Sequence, residues 1–342
     1  MSASGSARAG SEHAGGRRAF IAGLGGLLAA PAISLAQTPS RIPRIGYLSI
    51  GSASDPRRAG LLDAFRQGLR DLGYVENKNI RIEARFAEGT YERLPTLADE
   101  LVGLAPDVIV AYSTPATRAV RDATKAIPIV MSAVVDPVAT GLVAGLGRPG
   151  GNVTGLSLMS PEIIGKQIQL LMELIPKLSR VAILWNPSNP SNAPQLREAE
   201  QAAQTLRVQL QPLEARDPHA LDGAFVAMTR ERAGALVVLV DGLLVDQRVA
   251  IARLAAKTRV PAVYGLREHV EAGGFMFYGA STAESNRRAA VFVDKILRGA
   301  RPGDLPVEQP TKFELIINRG IAKALGLAIP QPILVRADEI FE

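Results

Sequence analysis

Between residues 45 and 130, short apolar runs alternate with stretches whose apolar residues recur every three to four positions. The same alternation returns between 181 and 263. One run, Val108, Ile109, Val110 and Ala111, leads through Tyr112, Ser113, Thr114 and Pro115 into a helical stretch that ends before Pro128. Its counterpart runs from Ala235 through Val240 to Asp241 and Gly242, then through a helical stretch to Pro261. Each unit reads as strand, polar turn, helix and proline-led strand. Continuous apolar strands separated by helices of this length form parallel sheets covered on both faces. Two such units predict two doubly wound α/β lobes. Ligands bind parallel sheets at the carboxyl ends of the strands, so two facing ends predict a cleft that clamps a small molecule.

The pattern places strands at 44–50, 79–86, 108–111, 129–133 and 152–158 in the first unit, with helices at 57–72, 91–104, 115–125 and 137–146. Leu61, Leu62, Phe65 and Leu69 share one face of the 57–72 helix, and Gly73 ends it. The 152–158 strand is read as the first crossing between lobes. The second unit has strands at 181–185, 209–213, 236–240 and 262–264, with helices at 161–175, 192–206, 218–230 and 245–258. A strand at 274–278 returns to the first lobe, and a helix at 282–298 follows. The tail reads as a helix at 318–325 closed by Gly326, then an extended 330–335.

Residues 1–36 read as an export signal rather than as part of the fold. Arg17 and Arg18 precede an apolar stretch at 22–30, Pro31 and a small-residue site at Ser34 and Ala36. The apolar run falls short of the roughly 20 residues that span a bilayer. The paired arginines resemble a twin-arginine signal, departing from it at Gly16 and Ala22; general secretory signals also carry such pairs. The sequence has no cysteine, hence no disulfide and no lipid-bearing thiol. A soluble periplasmic protein is expected. The formal charge of +6 falls to +4 when the leader's three arginines and one glutamate are removed. No basic block remains, which argues against a nucleic-acid partner.

Composition supplies little for catalysis. Gly145, Gly147 and Gly150 match a dinucleotide fingerprint literally, but they follow a helix, enclose Pro149 and lead into a strand, so they read as a turn. The histidines are His13, His219 and His269. No zinc-protease motif, thiolate or nucleophile elbow accompanies them. Neither cofactor nor metal is expected, nor an enzyme.

The informative residues end strands. Ser113 and Thr114 cap a helix start whose free N–H groups also suit a ligand carboxylate. Asp136 and Asp241 each follow a strand, one per lobe, and suit either a turn or a ligand ammonium. Asn186, followed by Ser188 and Asn189, offers groups that bind without titrating. Tyr112, Trp185 and Tyr278 lie in or at the ends of strands and suit either a pocket wall or a core edge.

Longer stretches then carry a family resemblance. They include residues 127–130, the Asp136–Pro137 turn, Gly141, the run 147–155, the run 72–80, the run 298–306 and the closing 318–330. Over residues 44–342 the chain resembles solute-binding proteins of ABC transporters of the tryptophan/tyrosine-binding type, with the type I periplasmic-binding fold. It departs at Asn77, where relatives more often carry glycine. The resemblance implies a non-catalytic, monomeric receptor that holds an amino acid or related carboxylate in the interlobe cleft and docks on an ABC permease in the inner membrane. Ser113, Thr114 and Asp136 in one lobe, and Asn186 and Asp241 in the other, would touch the ligand. The carboxylate is assigned to Ser113 and Thr114, the amine to Asp136 or Asp241, and the side-chain pocket to Tyr112, Trp185 and Tyr278. Lobe boundaries are expected at 41–155 plus 279–300, and 156–278 plus 301–342. An exported sensor for a membrane signalling partner and an exported α/β enzyme are the alternatives. A sugar-responsive repressor of this fold would need a DNA-binding helix pair where the leader stands.

Overall fold

A computed structural model describes residues 41–158 and 162–342; the predicted export signal lies outside them. The chain begins with β1 (Arg44–Ser49), α1 (Pro56–Asp71), β2 (Arg81–Phe86), α2 (Leu94–Gly103), β3 (Val108–Tyr112), α3 (Thr114–Ala123), β4 (Ile129–Val134) and β5 (Val153–Ser157). These five strands form one sheet in the order β2-β1-β3-β4-β5, parallel throughout. Every residue of β3 and β4 is buried. Helices cover both faces, and that is why the strands read as unbroken apolar runs.

The chain continues with α4 (Ile163–Leu174), β6 (Arg180–Trp185), α5 (Asn192–Leu206), β7 (Gln209–Glu214), α6 (Ala220–Arg230), β8 (Ala235–Val238), α7 (Gly242–Asp246), α8 (Arg248–Thr258), β9 (Ala262–Tyr264), α9 (Glu268–Glu271) and β10 (Met276–Gly279). Then come α10 (Thr282–Leu297), β11 (Glu314–Asn318), α11 (Arg319–Leu325), α12 (Gln331–Arg336) and β12 (Glu339–Phe341). The second sheet runs β12-β11-β10-β9-β8-β6-β7. Only the β10–β11 pair within it is antiparallel. Each sheet therefore lies between two apolar clusters, with α4 and α5 on one face of the second sheet and α6 and α8 on the other.

The chain passes between the sheets three times, after β5, after β10 and before β11. After the second passage α10 buries Ala289, Ala290, Phe292, Val293 and Ile296 in the same cluster as Phe65 and Leu69 of α1. Gly68 permits this close crossing: a methyl group there would lie 2.2 Å from the carbonyl oxygen of Arg287.

Several elements differ from expectation. Residues 137–146 form turns, not a helix, because Asp136 at φ 40° and Gly141 at φ 68° interrupt any helical run. The 245–258 helix is broken at Gln247 into α7 and α8. The strand before α10 pairs within the second sheet and the crossing follows it. The tail predicted as extended holds α12, whose Pro332 sits in the first turn, where no intrahelical donor is needed. Asn77 has φ 64°, a left-handed conformation that asparagine adopts more readily than most residues with a Cβ.

Candidate ligand site between the two sheets

The carboxyl ends of β3 and β4 face those of β6 and β8 across a small cavity. Its volume is about 30 Å³, and Tyr112, Ser113 and Thr114 line it opposite Asn189, Ser191 and Asp241. Ile50, Ala133, Val135, Val245 and Leu266 add apolar walls.

The first-sheet side is built on strained backbone. Ser113, at φ 93°, and Ala133, at φ 56°, end adjacent strands in conformations that residues with a Cβ rarely adopt, as does Asp136 just beyond. Ser113 Oγ accepts from the N–H of Ala116 at 3.4 Å and caps α3. Thr114 Oγ1 accepts from the N–H of Val135 at 3.3 Å, which ties the β3 turn to the β4 turn. The amino end of the ten-residue α3 is thereby aimed at the cavity, with the positive end of its dipole.

Asp241 organises the other side. It is 2% exposed and its Oδ1 accepts from the N–H of Leu244 at 2.9 Å, capping α7. Asn189 Nδ2 donates to Oδ2 at 2.9 Å. Asn186 Nδ2 donates to Oδ1 and Oδ2 at 3.4 and 3.3 Å. Tyr91, which follows β2 in the first lobe, donates its hydroxyl to Oδ2 at 2.8 Å. Burial and the adjacent Asp241 charge hold the Tyr91 phenol well above its ordinary pKa, so it acts as a donor. A carboxylate has about four acceptor positions, and four protein donors reach Asp241, Asn186 being shared between its two oxygens.

Two ion pairs join the lobes beside this contact. Arg248 at the start of α8 reaches Asp55, the cap of α1, at 2.9 Å. Arg57 of α1 reaches Glu271 of α9 at 2.8 Å. Residues 42–342 accordingly make up one compact unit.

Of the residues singled out from sequence, Tyr112, Ser113, Thr114 and Asp241 meet at this cavity. Asn186 lies beneath Asp241, fully buried, with its Oδ1 taken by the N–H of Ser188 at 2.9 Å. Trp185 packs with the α4–α5 cluster, and its buried Nε1 has no partner among the described residues. Tyr278 stacks on Phe313, ring centroids 6.0 Å apart, in a separate depression that Glu198 also lines. Asp136 turns its Oδ1 to the N–H of Ala139 at 2.9 Å. Its charge, after burial, helps push the Glu198 carboxyl up to about 7. Tyr91 and Ser191 were not singled out from sequence, and Asn189 was named only as part of the polar run after Trp185. Asn189 and Ser191 lie just after a strand end already marked as polar. Nothing local marks Tyr91, because its partner belongs to the other lobe.

Among the described residues no cluster of His, Cys, Asp and Glu is placed to hold a metal ion. No described helix is long and apolar enough to cross a membrane.

Residues 51–341 match the model of the ABC transporter substrate binding protein family. The chain belongs to that family. Within it, a tyrosine-binding protein of Clostridioides difficile (strain R20291) is 29% identical over 263 residues, covering 77% of this chain and 75% of that one. The crystal structure of an ABC domain from Streptococcus pneumonia in complex with L-Trp superposes with a TM-score of 0.83 at 25% identity, covering 88% of this chain and 100% of the other. A ligand-free, open substrate-binding protein with adhesive properties from Clostridium difficile gives 0.67 at 25% identity, covering 88% and 99%. The two-lobed architecture is thus the periplasmic-binding-protein-like fold of this substrate-binding family.

Proposed function

We propose that this substrate-binding protein is the exported receptor of an ABC importer and takes an aromatic amino acid or closely related carboxylate between its lobes. The leader at 1–36 is removed on export to the periplasm. The lobes comprise 41–155 plus 279–300, and 156–278 plus 301–342, and the three crossings act as the hinge. The observation that carries this reading is polar opposition across one cavity. The amino end of α3 with Ser113 and Thr114 suits a carboxylate, and the Asp241 carboxylate opposite suits an ammonium. The tyrosine-binding and L-Trp-bound relatives support the ligand class.

The cavity of about 30 Å³ is far below the roughly 300 Å³ or more of a working ligand pocket. The lobes therefore separate to admit the ligand and close around it by hinge rotation. Closure excludes water, so a ligand that leaves Asp241 or the α3 N–H groups unpaired is rejected. The closed form docks on a membrane permease, and the role is binding without catalysis.

A thermal-shift screen of the mature protein against the common amino acids tests this, since a ligand that binds only the folded state raises the melting temperature. L-tyrosine or L-tryptophan is expected to give the largest rise, and Asp241→Ala to abolish it. No rise with any amino acid would overturn the reading.

A further inference from the structure

Tyr91 and Asp241 come from different lobes, yet their side chains meet at 2.8 Å over a cavity too small to hold an amino acid. Gly242, directly after Asp241, makes this approach feasible. A Cβ on it would lie 3.2 Å from both the Tyr91 hydroxyl and Ile50 Cγ1. The Asp241 Oδ2 otherwise receives only side-chain amides of its own lobe, from Asn189 and Asn186. When the lobes separate, Tyr91 leaves with the first lobe and Oδ2 loses its shortest donor. That vacated position is where a ligand ammonium would bind, because the other three donors, Leu244, Asn189 and the shared Asn186 amide, stay on Asp241 within the second lobe.

We infer that the Tyr91 hydroxyl is an internal stand-in for the ligand's cation: it satisfies Asp241 in the empty closed receptor and is displaced by a ligand ammonium. Tyr91 is then a specificity-determining residue. A ligand that carries an ammonium replaces the phenol. A ligand of the same shape without one must leave the phenol on Asp241 in the closed complex. The burial that keeps the phenol protonated makes it a dependable donor over the whole physiological pH range. The inference rests on the proposed amino-acid cleft and adds which group each class of ligand must displace or retain.

The test compares L-tryptophan with 3-(indol-3-yl)propionate, which lacks only the amine, by titration calorimetry on the wild-type protein and on Tyr91→Phe. Phenylalanine keeps the ring and removes only the donor. The variant is expected to bind 3-(indol-3-yl)propionate about tenfold more weakly, as a lost hydrogen bond to a buried charge implies. L-tryptophan binding should be unchanged or tighter. The selectivity for the amine would then rise by about tenfold or more. Ligand-free Tyr91→Phe should also scatter X-rays as a more extended particle, because its empty closed form has lost a partner. Equal weakening for both ligands would overturn the inference, since Tyr91 would then remain on Asp241 in the amine complex. No change for either ligand would overturn it as well. If neither ligand binds the folded wild-type protein, the amino-acid reading itself fails and the inference falls with it.

Discussion

Glu198 offers a quantitative test of the burial and charge around α5. It sits on α5, half-buried, and its Oε2 is buried without a partner among the described residues. Burial, then the charge of Asp136 from the other lobe, raises its carboxyl from 4.5 to about 7, against a small opposing pull from Arg197. The shift corresponds to roughly 3 kcal/mol at 1.36 kcal/mol per unit. Because the side chain is half-exposed, solvent screening reduces this to about 1–2 kcal/mol. The sign follows from proton counting. Between pH 4.5 and 7 the folded protein holds a proton that the unfolded chain has released, so stability falls as pH rises through that window. Glu198→Gln removes the titration while preserving shape. The variant is expected to match wild type below the ordinary carboxylate pKa, near pH 4, and to exceed it by about 1–2 kcal/mol at pH 8. Urea denaturation at both pH values reads this directly. A pH-independent difference, or a loss of stability at pH 8, would refute the assignment of a carboxylate kept protonated mainly by burial.

Two glycines give predictions of opposite character. Gly242→Ala places a methyl group against Ile50 and Tyr91 across the cleft, so ligand affinity should fall about tenfold. Because the obstruction lies between the lobes, the melting temperature without ligand should hold or rise; a fall in both would place the methyl group's clash inside a lobe. Gly68→Ala drives a methyl group into the backbone of α10 and should cost about 1–3 kcal/mol of stability, seen as a lower urea midpoint. Unchanged stability would mean that α1 and α10 do not cross this closely.

Much of the fold was readable because its strands are buried on both faces. Runs such as Val108–Tyr112 and the apolar stretch that ends at Asp241 announce strand, turn and helix with little ambiguity. The tail was harder. β12 is a three-residue edge strand that is never fully buried, β11 is only five residues long, and α12 carries in its first turn Pro332, which reads as a breaker unless the turn before it is known. The candidate site was legible wherever one lobe suffices: Ser113 caps a helix at a strand end, and Asp241 does the same in the second sheet. What sequence could not supply is pairing across the cleft. Tyr91 lies 150 residues from Asp241 in a stretch read as the start of a helix. Trp185 and Tyr278 look alike as aromatic strand-end residues, and only packing shows that each faces the α4–α5 side of its sheet rather than the cavity.

The most direct test of the central claim is a crystal structure of the mature protein with the amino acid that gives the largest thermal shift. The ligand carboxylate is predicted at the amino end of α3, within hydrogen-bond reach of Ser113 or Thr114, with its ammonium on Asp241 where the Tyr91 hydroxyl now sits. A ligand seated on an outer face of either lobe, touching neither α3 nor Asp241, would contradict it.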